Sequence, residues 1–209
     1  LSEEVIGILC IGKFSQTQIA SFEEYQKPLV FLDSDTLALG HTCVITDFYN
    51  AVKQVIDFFT SQGFDKIGIL SGLEVTTDEE ELIQDKRLEN YKAYMQEKGI
   101  YREELVFQGN FSAQSGYDLM KEAIETLGDN LPAAFFAASD SLAIGALRAL
   151  QEAGMHLPER VSLIPSMIPS SPSKSFPLSL VSPSTPKKWG ALVWIFLIKK
   201  FSTVVKSLA

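Results

Sequence analysis

Few side chains in this 209-residue chain are of the kinds that make and break bonds. The only histidines, His41 and His156, have no metal-ligand spacing. The two cysteines, Cys10 and Cys43, lie in apolar runs that read as strands. Buried free thiols are the expectation there, with a disulfide or metal pair as the minor alternative. No GxGxxG, Walker loop, HExxH or Ser-His-Asp arrangement is found, so the chain reads as a non-enzyme without metal or cofactor. What remains is a series of polar positions that each follow a β-rich run: Asp33, Ser34 and Asp35; Ser71 and Gly72; Asn110 and Phe111; Ala138, Ser139 and Asp140. Hydroxyls and carboxylates placed this way suit the holding of a polar small molecule.

Those positions gain meaning from the elements before them. Residues 5–10, 29–32, 42–45, 66–70, 104–107, 133–137 and 161–164 are predicted strands. Residues 15–25, 47–62, 79–98, 112–127 and 140–153 are predicted helices. In the second helix Ala51, Val52, Val55, Ile56 and Phe59 recur at helical spacing. Gly63, Gly99 and Gly154 stand where helix-ending glycines belong. Asp47, Ser112 and Asp140 read as helix N-caps. Strand and helix alternate through short loops, which predicts an α/β fold, a doubly wound parallel sheet. Ligands of such sheets bind beyond the carboxyl ends of the strands, where the polar positions lie.

Charge divides the chain. The formal net charge is −8, which repels nucleic acid phosphates and argues against a DNA reader. All 26 acidic residues lie at or before Glu159; the net charge is −15 to that point and +7 after it. Six of the nine prolines fall between Pro165 and Pro186, among serines. Three readings fit: a basic disordered tail, a Ser/Pro linker to an amphipathic end, or the wrong reading frame. The start, Leu1-Ser2-Glu3-Glu4, runs straight into a strand without a signal peptide, and no apolar run reaches the about 18 residues of a membrane span. A cytoplasmic protein without a membrane partner is expected.

Several segments resemble the lactose/galactose repressor family of transcription regulators. Residues 134–150, with Ser139-Asp140 and Ala143-Ile144-Gly145-Ala146-Leu147-Arg148-Ala149-Leu150, followed by Gly154, Pro158 and Val161-Ser162-Leu163-Ile164, are similar to its most specific motif. Leu29-Val30-Phe31-Leu32-Asp33 resembles its strand ending in aspartate. Gly63-Phe64-Asp65-Lys66-Ile67-Gly68 resembles a glycine-led segment of the family. Lys86-Arg87-Leu88-Glu89-Asn90-Tyr91 resembles its arginine-led helix, and Asn110-Phe111-Ser112-Ala113-Gln114-Ser115-Gly116 its aromatic turn. The likeness covers residues 5–164 and is nearest in flavour to galactose-operon repressors of Gram-positive bacteria.

The resemblance implies a periplasmic-binding-protein-like fold in which a sugar lies between two subdomains. Residues 1–46 then form the last part of the first subdomain, residues 47–164 most of the second, and residues 165–209 an irregular tail. The family's helix-turn-helix, which carries operator DNA binding, has no counterpart in these residues. The expectation is an effector-binding core, truncated at its start, with no measurable sugar affinity as a fragment. Intact members form homodimers. The alternative is the sugar-binding component of a transport system. Among candidate sugar contacts, Asp33 matches an aspartate that bonds hydroxyls, or else caps a turn. Arg87 matches a sugar-binding arginine, or else is a solvated helix position. Phe111 matches an aromatic that stacks on the pyranose, or else packs in the core. Ser139 stands where many members have asparagine.

The family continues after its last strand with an acidic Asn/Asp-Asp pair, whereas this chain has Pro165-Ser166-Met167-Ile168-Pro169. Reading one base back permits Asn-Asp-Thr around Met167, whose codon is fixed. The codons of Trp189 and Trp194 continue the family pattern in the same shifted frame. A frameshift near residues 164–166 is therefore expected. A stop codon in the shifted frame between residues 167 and 200 of the gene would end that reading.

Overall fold

The computed structural model describes residues 5–79 and 81–166. The first lobe is a three-stranded parallel sheet of β1 (Ile8–Ile11), β2 (Leu29–Leu32) and β3 (Thr42–Val44), in that spatial order. In-register pairing sets Cys10, Phe31 and Cys43 side by side across the three strands. Helix α1 (Gln16–Glu23) lays Ile19 on buried Phe31 and Cys10, with Phe14 and Phe22 around them. It begins at Ser15 in a reciprocal capping box with Gln18, which satisfies two amides that a helix start otherwise leaves unpaired. Both cysteines are free thiols, and burial pushes the Cys10 thiol up.

Within the described residues the chain passes between β3 and α2 (Phe48–Ser61) into a larger lobe. There β6 (Val106–Asn110), β4 (Ile67–Val75), β7 (Ala134–Ala137) and β8 (Ser162–Pro165) lie parallel in that spatial order. Strand alternation divides the side chains between two cores. Ile67, Ile69, Ala134 and Phe136 meet Val52, Ile56 and Phe59 of α2 and Tyr91 and Met95 of α3 (Lys86–Glu97). Leu70, Phe135, Ala137 and Leu163 meet α4 (Ala113–Leu127) and α5 (Asp140–Glu152). Each fully buried aliphatic or aromatic side chain in these layers contributes about 1.5–3 kcal/mol. Helices on both faces of a parallel sheet make this the doubly wound fold that the alternation predicts.

Two expectations need correction. The helix read over residues 79–98 begins only at Lys86. Ahead of it, β5 (Leu82–Ile83) pairs antiparallel with the far end of β4. The carboxylate of Asp85 takes the Arg87 amide at 3.0 Å and fixes the true helix start, while Glu79 adopts φ 60°, outside the helical region. Asp140 is not an N-cap. Ser139 caps α5 through a 3.2 Å bond from the Leu142 amide, leaving Asp140 as the first helical residue. Asp47 and Ser112 do cap α2 and α4, each accepting the amide three residues on at 3.0 Å. No helix among the described residues is long and apolar enough to cross a membrane. The reading frame expected for the tail concerns residues that lie, from 167 on, outside the described ones.

Candidate functional site

The carboxyl ends of β4, β6 and β7 converge on the start of α3, and Arg87 occupies that point. Its side chain is only 14% exposed. The guanidinium Nε donates to Asp85 Oδ1 at 2.6 Å, and one terminal nitrogen donates to the Ala138 carbonyl at 2.7 Å. The group lies between two rings, 4.7 Å from the centroid of Phe111 and 4.9 Å from that of Phe48. Asp85, 3% exposed, takes the Ser71 hydroxyl on its other oxygen at 2.8 Å. It thus caps α3 and orients the arginine with one carboxylate. Glu74 stands 3.7 Å from the arginine, beyond hydrogen-bond distance.

Local sequence explains these placements. Asn110 accepts the Ser112 amide and Ser115 the Asn110 amide, both at 3.0 Å, which fixes the turn that carries Phe111. Gly72 leaves space for it: a Cβ there would approach the Phe111 ring to 2.9 Å. Asp47, whose capping bond from the Asn50 amide holds its carboxyl below the usual range, turns Phe48 into the first residue of α2.

The first lobe faces this arrangement with Asp33 and Lys13. Asp33 follows β2 with φ 67°, a left-handed conformation that costs a non-glycine residue about 1 kcal/mol or more. Lys13, just past β1, pairs with the Asp33 carboxylate at 2.9 Å and also bonds its carbonyl oxygen. Lys13, Asp33, Phe48, Glu74, Asp85 and Arg87 line one cleft of about 90 Å³.

Of the residues singled out from sequence, Arg87 and Asp33 line the cleft from the two lobes, and Phe111 lies against Arg87 without being one of the lining residues. Ser139 is adjacent to the carbonyl that Arg87 holds, yet its hydroxyl is engaged in capping α5. Asp47 and Asp140 do not line the cleft; burial pushes the Asp140 carboxyl up. Sequence reasoning missed Lys13, Phe48, Glu74 and Asp85. Lys13 and Phe48 carried a usable signal, since each stands within a few residues of a strand's carboxyl end. Counting Lys86 with Lys13 and Arg87, the cleft sets three cations against three carboxylates, and its arginine keeps uncommitted N–H groups. Paired donors and acceptors flanked by aromatic rings can hold an uncharged, hydroxyl-rich molecule.

The periplasmic binding protein-like domain family matches residues 56–188, more than half of the chain. The match runs beyond residue 164 into the segment for which a shifted frame is expected. The chain is 54% identical over 164 residues to the HTH-type transcriptional regulator GalR of Streptococcus thermophilus, covering 78% of this chain and 49% of that protein. It is 37% identical over 163 residues to the GalR regulator of Lacticaseibacillus casei, again 78% of this chain and 49% of that one. Among solved structures, a complex of the transcriptional regulator CelR with cellobiose superposes with TM-score 0.61 at 25% identity, over 78% of this chain and 49% of that one. The chain thus spans about half the length of the curated relatives it matches.

Proposed function

The chain belongs to the periplasmic binding protein-like family, among the regulators of the lactose/galactose repressor type, and from that premise we propose that its cleft is the effector site of a repressor governing a sugar-utilisation operon. The effector is a neutral, galactose-like sugar. The observation that carries this reading is Arg87, buried between Phe48 and Phe111 and fixed by Asp85, opposite Asp33. In this reading its uncommitted N–H groups donate to neighbouring hydroxyls, the Phe111 ring takes a pyranose C–H face, and Asp33 and Glu74 accept hydroxyl protons. Ser139 contributes at the rim, through a hydroxyl shared with its capping role. The site binds and does not transform, so the protein is not an enzyme. Operator binding and pairing into a homodimer are properties of the whole regulator, which acts in the cytoplasm.

A cleft of 90 Å³ is well below the about 300 Å³ and more of established small-molecule sites. This chain therefore holds its sugar weakly. Calorimetry with D-galactose is expected to give no measurable heat, and a micromolar affinity would contradict that. Saturation-transfer NMR reads weaker binding. Galactose ring protons are expected to receive saturation from this chain, and to lose it with Phe111→Ala and Arg87→Ala. An absent signal with the parent chain, or an undiminished one with both variants, would sink the assignment.

A further inference from the structure

The hairpin of β4 and β5 places Glu74 and Asp85 beside Arg87 at its base, but its tip leaves the second lobe. The tip is held in shape by its own bonds. Thr76, 2% exposed, donates its amide to the Glu81 carbonyl at 2.9 Å, gives its hydroxyl to Asp78 at 2.5 Å and accepts the Glu81 amide at 3.1 Å. So shaped, it meets the start of α1 in the first lobe. The Thr77 amide donates to the Lys13 carbonyl at 2.8 Å, and its hydroxyl to Gln18 Oε1 at 2.8 Å. Asp78 accepts the Ser15 hydroxyl, and Glu81 accepts the Gln16 amide at 3.2 Å. Two carboxylates thereby face the positive end of a helix whose first amides need acceptors. Gly12 permits the approach: a Cβ there would meet the Thr77 methyl at 3.3 Å.

We propose that this hairpin is a strap that fastens the first lobe over the cleft and is coupled to its occupancy. Within the described residues the backbone joins the lobes only between β3 and α2. The docked tip is a second junction between them. Lys13 links the two: its carbonyl holds the strap while its ammonium holds Asp33. A ligand that bonds Asp33 and Arg87 touches the first lobe at the strap's anchor and the second lobe at the strap's base. Binding therefore favours the docked tip, and release of the tip opens the cleft. The coupling rests on the sugar-site reading above; the docking does not.

Amide hydrogen exchange by NMR tests both. The Thr77 and Gln16 amides each find their acceptor in the opposite lobe, so they report docking directly. In the parent chain both are expected to be protected. Asp78→Ala and Glu81→Ala should speed the exchange of both by about tenfold, with Ile69 and Phe136 in the central strands unchanged. Glu81→Gln, which keeps an acceptor oxygen, should restore the parent rates. Unprotected Thr77 in the parent, or a variant effect on Gln16 without Thr77, would overturn the strap and leave Asp78 and Glu81 as local helix caps. Galactose should then slow both amides further. If saturation transfer shows galactose bound while these amides do not respond, the coupling is wrong. If galactose does not bind and the alanine variants still release the tip, the strap stands and the sugar assignment fails.

Discussion

Asp57 on α2 gathers three donors from two helices: Lys53 Nζ at 2.5 Å, the Tyr94 hydroxyl at 2.7 Å and Lys98 Nζ at 2.9 Å. Both ammonium groups also lie over the Tyr94 ring, at 4.9 and 5.0 Å. The hydrogen bond from Lys53 holds the Asp57 carboxyl well below the usual range, and in turn raises Lys53. A depressed folded-state value means that the stabilisation is complete above about pH 4, where an unfolded aspartate titrates, and is lost as pH falls through the lower folded value. Asp57 is 39% exposed, so solvent screening limits the effect. Asp57→Asn is expected to cost less than about 1 kcal/mol at pH 7, and the difference should shrink towards zero in acid. Urea melts of both proteins at pH 7 and below pH 3 check this. At the cleft, sequence identified Arg87 by likeness alone, and Phe111 by likeness and by its place after a predicted strand. Their surroundings were illegible because the groups that bury and orient Arg87 come from β4, β7, α2 and the turn before α4, far apart in the chain. That burial rules out the solvated-helix alternative for Arg87 and puts its ring partners in direct contact.

Helices α4 and α5 cross backbone to backbone. A Cβ on Gly145 would overlap the Ala113 carbonyl oxygen, and one on Gly116 the carbonyl of Leu142. Neither obstacle is a side chain that can swing away. Gly145→Ala is therefore expected to destabilise by about 2 kcal/mol or more, even though alanine favours a helix at that position. A chemical melt measures the cost, and a neutral or stabilising result would refute the close crossing. The strands and helices were legible in outline because each buries one regular stripe. The hairpin between residues 71 and 85 was not. Its run of acids looks like a helix start, and the interactions that make it a strap, with Lys13, Ser15, Gln16 and Gln18, lie some sixty residues earlier. Asp140 was misplaced by one residue because Ser139 and Asp140 are both good caps, and the strand's exit geometry selects the serine.

The lobes differ in how much they bury. The larger one has a core on each face of its sheet, whereas Cys10, Ile19 and Phe31 are the buried centre of the smaller one. Opening should therefore be cheaper for the first lobe. Amides of Phe31 and Cys43 are expected to exchange at least about tenfold faster than those of Phe136 and Ile69, with protection lost in two steps as urea rises. Equal rates and a single step would mean that strap and crossover join the lobes into one cooperative unit. The backbone of Asp33 adds a last consideration for anyone wishing to harden this molecule. Glycine tolerates that left-handed turn without penalty, so Asp33→Gly is the change that a search for thermal robustness would favour. The same change removes, among the described residues, the one acidic group that the first lobe brings to the cleft, and it takes from Lys13 its carboxylate partner. At this residue, robustness and recognition pull in opposite directions.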